Sequence, residues 1–316
     1  MELHIRHETC YEYTPLVEMA QHVAYLRPID TPWQSVRSCG LDITPAPAAC
    51  EESVDVYGNH RTFFSLATPH ATLCVKAQTV VQTRAPEPAP STMTWEAVRD
   101  HFRYRAGMIW SDAAEFSFPS PRAPRDEAFV TFAAPCFMPG RSALEAARAL
   151  MHRIHEEFTY ESESTEVHTT ALESLDMRKG VCQDFAHIML ACLRSMGLPA
   201  RYVSGYLLTQ PPPGKPRLIG SDASHAWVSV FLPDLPGADK GLGWYDLDPT
   251  NDRDGWGTPG EDYVTLATGR DYADVSPMRG VIHGGGQHTL EVAVTVVPSD
   301  EAHILEATAE DSEGGA

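Results

Sequence analysis

Alternation of apolar and polar positions dominates the first quarter of the chain. The run "LHIRHETCYEY" from Leu3 has the period of two expected of a half-buried strand. "RTFFSLATPHATLCVKAQTVVQT", Arg61 to Thr83, contains two such runs separated by the turn-forming Ala67-Thr68-Pro69-His70. "VDVYGNHRT" sets a Tyr57-Gly58-Asn59 turn between short runs. Residues 1–84 show little helical period, which predicts a β-rich, sandwich-like domain. The Pro-rich "RAPEPAPSTM", Arg84 to Met93, predicts an extended linker. It opens an irregular stretch, 85–141, with one short helix expected in "TWEAVRDHFRYRAG" and an irregular connection in "FPSPRAPRDEAF".

The period changes to 3.6 after Ser142, a fitting N-cap. Leu144, Ala147, Leu150, Ile154 and Phe158 fall on one stripe. A second stripe runs from Cys182 through Phe185, Ile188, Cys192 and Met196, and Gly197 with Pro199 stops it. Strand patterns follow in "ARYVSGYLL", "SHAWVSVFL" and "WYDLDPTN", linked by "TQPPPGKPRLIGSD" and "PDLPGADKGLG". Helix followed by antiparallel strands predicts an α+β domain over 142–299, with a helix packed on one sheet face. "TLEVAVTVV" would supply its last strand, and 300–316 an acidic, fraying tail.

Composition narrows the function classes. The chain has 316 residues, enough for a sizeable core, with 43% hydrophobic and 21% charged residues. A net charge of −19 opposes contact with nucleic acid or anionic membrane. No apolar run reaches 18 residues, and the N-terminus lacks the apolar stretch of a secretory signal. The seven cysteines are scattered without a CxxC pair, so reduced thiols and a cytoplasmic location are expected. His152 and His155 lie three apart near a helix end, but no nearby cysteine or carboxylate pair completes a metal site. Neither a metal nor a cofactor is therefore expected.

Cys182 is the chemically pointed residue. It opens a helix, with Gly180 just before it to let the backbone turn. The positive end of a helix and a nearby imidazolium both favour a thiolate, the form that acts as nucleophile. Unpaired N–H groups in the first turn can also hold a developing oxyanion. Cys192, ten residues on, reads as plain core by contrast. The base would be His225. Alternation puts His225, Trp227, Ser229 and Phe231 on one face and Ala226, Val228, Val230 and Leu232, all apolar, on the other. Asp246 and Asp248 share a face in the next strand, so alternation leaves open which one orients the imidazole.

The blocks "GVCQDFAHIMLACLRSMGLPARYVSGYL", "SHAWVSVFLP" and "GWYDLDPTN", over residues 155–251, together resemble the transglutaminase core shared by animal transglutaminases, bacterial transglutaminase-like proteins and papain-fold thiol proteases. Residues 1–84, with "YLRP" and "DVYGN", resemble the β-rich N-terminal region of bacterial members, and "GRDYADVSPMRGVIHGG" also fits them. The resemblance implies Cys182 as nucleophile, His225 as base and Asp248 as the orienting carboxylate, leaving Asp246 without an inherited role. Animal enzymes carry tryptophan where this chain has Gln183, and the calcium-loop pattern is absent, so calcium activation is not carried over. Tyr160, Gln183 and Trp227 are the remaining candidates for oxyanion or substrate contacts.

The implied activity is acyl transfer on a peptide or protein amide through a thioester. Water as second nucleophile makes a cysteine peptidase or amidase, which is the expectation. An amine makes a transamidase or ligase. A non-catalytic interaction module, or zinc held by the same three residues, is the contrasting reading.

Overall fold

The computed structural model describes residues 1–107, 111–161, 169–209 and 224–305. Five strands come first: β1 (Glu2–Ala24), β2 (Gln34–Thr44), β3 (Ala49–Val54), β4 (His60–Leu66) and β5 (His70–Thr83). Helices α1 (Trp95–Phe102), α2 (Glu127–Ala133) and α3 (Ala143–Glu157) follow the linker. Then come β6 (Thr159–Tyr160), α4 (Ala171–Met177), β7 (Lys179–Gly180) and α5 (Cys182–Ser195). The second sheet is built from β8 (Ala200–Leu207), β9 (Ser224–Phe231), β10 (Trp244–Asp248), β11 (Arg253–Trp256) and β12 (Tyr263–Gly269). A short α6 (Tyr272–Val275) leads into β13 (Met278–Gly284) and β14 (Gln287–Pro298).

The expected sandwich takes the form of one curled, seven-stranded antiparallel sheet organised around β1. The first half of β1 lies between β5 and β14, and its second half between β4 and β13. Here the structure departs from the domain boundaries read in the sequence. "TLEVAVTVV" was expected to close the helix-bearing domain, but it lies in β14 and pairs with β1 from Leu3–Pro298 to Thr14–Gln287. A strand of 23 residues needs hydrogen-bond partners along both edges, and a pattern of side chains says nothing about which distant strand supplies them. Cys10 and Cys74 face each other across β1 and β5 and form a disulfide, correcting the expectation that all thiols are reduced.

Periodicity located the principal helices. Ser142 caps α3 by accepting from the Glu145 N–H at 3.2 Å. The α5 helix is buried on nearly every side among α2, α3, α4 and the sheet. Ala226, Val228 and Val230 face it from β9, as alternation required. The second sheet runs β11-β10-β9-β8-β12, antiparallel throughout. Helix α4 and strand β12 did not stand out in the sequence; most of the link "TQPPPGKPRLIGSD" and the tail from 306 onward lie outside the described residues.

The N-terminal sheet closes an edge of the second one. Among the described residues, strand β12 pairs with β8 alone. On its other side, Gln34 donates to the Thr265 carbonyl at 2.8 Å and accepts from its N–H at 2.7 Å. Asn59 does the same to Thr268, at 2.8 Å for each bond. Two amide side chains thus stand in for a strand and satisfy an otherwise open edge. Leu3, Ile5, Val81, Val294 and Val296 pack there against Tyr206, Val264 and Leu266, and the Tyr206 hydroxyl meets His7 Nδ1 at 2.9 Å. This contact positions β12, which supplies a residue to the site.

Candidate active site

Three elements converge at the start of α5. The Gly180–Val181 entry is held by Asp184, whose Oδ2 accepts from the Val181 N–H at 2.9 Å. A Cβ on Gly180 would lie 2.7 Å from that same oxygen, so the cap and the glycine require each other. Cys182, half-buried, follows in the first turn, where helix geometry leaves its N–H without an intrahelical acceptor.

His225, from the start of β9, is about one-tenth exposed, and its Nε2 lies 2.7 Å from Asp248 Oδ2. Asn251 Nδ2 also lies 3.3 Å from that Nε2, and Cys182 is a further hydrogen-bonding neighbour of the ring. With Nε2 taken by the carboxylate, Nδ1 is the nitrogen left for sulfur. Burial alone would lower the imidazole pKa. The hydrogen bond to Asp248, then that to Cys182, outweigh it and push the ring up to about 10. A pKa raised in this way favours the protonated ring, the form that can give a proton to a leaving group.

Asp248 is fully buried and saturated. Its Oδ2 also accepts from the Tyr263 hydroxyl at 2.7 Å and Asn251 Nδ2 at 2.8 Å, and its Oδ1 from the Thr250 N–H at 2.9 Å. Burial works to raise its pKa, but these donors, His225 foremost, hold it below the ordinary value. Helix α3 steadies the following turn: His155 Nδ1 donates to the Thr250 carbonyl at 3.0 Å, and His152 Nδ1 meets Asp252 at 2.9 Å. The two histidines noticed for metal spacing thus pin the segment behind Asp248. Among the described residues no group of three or more His, Cys, Asp or Glu side chains could hold a metal.

The choice that alternation left open is made by register. Asp246 lies opposite Ser229 and is committed there, accepting from Ser229 Oγ and from Trp227 Nε1 at 2.8 Å. This corrects the reading of Trp227 as an oxyanion or substrate contact. The residue is completely buried and its one N–H is committed to Asp246. Instead its indole stacks under the His225 ring, with centroids 6.1 Å apart. Tyr160 is about half exposed on β6, which pairs with β7 at Gly180, and burial followed by the charge of Cys182 raises its phenol pKa. Gln183 is half-buried in the first turn of α5. Cys192 is fully buried, and burial pushes its thiol up.

Asn251 and Tyr263 escaped the sequence reading. Asn251 had a faint signal as a turn amide three residues beyond Asp248; Tyr263 had none, because it arrives from a strand paired with β8 rather than with β10.

The Trp227 support makes Gly205 a sensitive position. Gly205 pairs with His225 across β8 and β9. A Cβ there would sit 2.1 Å from the Val264 carbonyl oxygen and 2.5 Å from the Trp227 ring. Gly205→Ala is expected to cost about 3 kcal/mol or more of stability, because backbone and a locked indole cannot yield. Urea denaturation would measure it; a loss under about 0.5 kcal/mol would show that this layer is slack.

The core segment, residues 130–249, matches the family model of the transglutaminase-like superfamily, and residues 3–82 match that of the bacterial transglutaminase-like N-terminal region. An uncharacterized protein of Mycobacterium tuberculosis is 41% identical over 300 residues, spanning 93% of this chain and 92% of its own. A protein-glutamine gamma-glutamyltransferase of Pseudomonas aeruginosa is 33% identical over 136 residues, 42% of this chain and 18% of that protein. A crystal structure from Cytophaga hutchinsonii, described provisionally as a cysteine protease, has a TM-score of 0.70 at 21% identity. The match covers 95% of this chain and 92% of that one, a likeness of fold.

Proposed function

Since the chain belongs to the transglutaminase-like superfamily, we propose that it is a thiol enzyme that cleaves peptide or amide bonds through Cys182, His225 and Asp248. The observation that carries this reading is the placement of one imidazole between the Asp248 carboxylate and the Cys182 thiol. In the proposed sequence, the Cys182 thiolate attacks the amide carbonyl carbon. Charge gathers on the carbonyl oxygen, which the Cys182 N–H at the start of α5 is placed to receive. His225 Nδ1 gives its proton to the departing amine as the C–N bond breaks, leaving a thioester. The now neutral ring takes a proton from water as its oxygen attacks the thioester; the C–S bond breaks, the acid leaves, and the Cys182 thiolate and protonated His225 are restored. Asp248 keeps Nδ1 pointed at the reaction throughout.

The named Pseudomonas relative supports the second reading, in which an amine replaces water and a new amide forms. The two are separated by incubating the protein with dimethylcasein and dansylcadaverine and following products by mass spectrometry. Hydrolytic cleavage or deamidation is expected to exceed amine incorporation. Incorporation in excess over hydrolysis would overturn the peptidase reading in favour of transamidation.

A further inference from the structure

A second cleft, of about 790 Å³, opens on the sheet face turned away from α5, and none of Cys182, His225 and Asp248 lines it. Its volume is in the range that holds small organic ligands. One wall is a cluster of edge-to-face rings: Phe116 and Phe231 stand on Trp244, with centroids 5.3 and 5.1 Å away. Arg201 of β8 lines it too, its guanidinium carbon 4.2 Å over the Trp244 ring.

Arg201 is incompletely satisfied. Its Nε is buried with no hydrogen-bond partner, and the guanidinium has no ion pair within 4.0 Å among the described residues. Asp246 influences it only through space, because that carboxylate is spent on Trp227 and Ser229. Arg201 is half-buried, a guanidinium with an unpaired buried Nε is costly, and a planar carboxylate is the group its fork fits. Burial accordingly lowers the Arg201 pKa to about 10 against the pull of Asp246. The rim has the opposite sign. Asp112 and Asp239 are exposed there, and Glu115 accepts from the Tyr57 hydroxyl at 2.9 Å.

We propose that this cleft binds a free hydrophobic α-amino acid, with its carboxylate on Arg201, its side chain against the aromatic wall and its ammonium toward the acidic rim. A simple anion would meet the rim carboxylates, and an amine alone would leave the guanidinium unpaired. A ligand bearing both charges around an apolar body answers all three surfaces.

Calorimetric titration of the full chain at pH 7 with L-phenylalanine, L-phenylalaninamide and 3-phenylpropionate tests this. Saturable binding of phenylalanine is expected. Both the amide, which lacks the carboxylate, and phenylpropionate, which lacks the ammonium, should bind at least about tenfold more weakly, the worth of one charge-assisted contact. Arg201→Met should weaken phenylalanine by at least the same factor. Because that change exposes Asp246 to loss of its counter-charge, Ala238→Trp provides a second variant that fills the cleft from its wall and leaves Arg201 intact. It should abolish binding while the rate of Cys182 alkylation stays unchanged. No saturable binding of phenylalanine, equal binding of the amide, or full binding to either variant would overturn the assignment.

Discussion

Replacing Cys182 by alanine is expected to lower amide turnover by at least about 10⁴-fold and to abolish any covalent acyl intermediate. Removing the nucleophile removes the pathway rather than one contribution to it, and only residual binding effects remain. The control is Cys50, which is exposed on β3; Cys50→Ala should leave turnover within about twofold. Both follow from position. Cys182 stands at an open helix start with the His225 ring as a hydrogen-bonding neighbour, while Cys50 is an exposed strand residue. Turnover on a peptide substrate and intact-mass detection of the acyl-enzyme provide the two readouts. Retention of a tenth or more of wild-type turnover in well-folded Cys182→Ala protein would sink the thiol mechanism.

Asp248→Asn should lower turnover by about 10²–10⁴-fold and move its alkaline limit downward. The wild-type ring keeps its proton to about pH 10 because the Asp248 bond, with Cys182, overrides burial. With the carboxylate neutralised, burial gains ground and the ring deprotonates at lower pH. The same linkage governs stability. A histidine whose folded pKa lies above its unfolded value contributes fully below about pH 6.5, and the contribution is lost as pH rises toward 10. Wild-type protein should therefore lose folding free energy across that window, and Asp248→Asn should lose less. pH–rate profiles of Cys182 alkylation and denaturant titrations at pH 7 and 9.5 would check both. Identical profiles for the two proteins would mean that Asp248 does not govern the ring.

The helix starting at Cys182 was legible because its cues are local. A 3.6-residue stripe, a glycine at the entry and a Gly–Pro stop all lie within twenty residues. The apolar face of β9 was legible for the same reason. Asp246 and Asp248 show where such cues end. They are two residues apart on one face, and only the register of β10 against β9 assigns the first to Trp227 and the second to His225. Trp227 misled for a related reason: its short separation from His225 is visible in the sequence, but its commitment to Asp246 depends on a neighbouring strand.

Sequence by itself determined the principal element types and the α+β class, because these depend on periodicity along the chain, while three motif blocks carried the family resemblance and the residues it implies for thiol chemistry. Tertiary structure alone decided the pairing of β14 with β1, the capping of β12 by Gln34 and Asn59, and the arrival of Tyr263 at Asp248. Each of these is a bond between groups far apart in the chain. Many distant partners satisfy the same local pattern, and only burial of every backbone and carboxylate donor and acceptor at once selects among them.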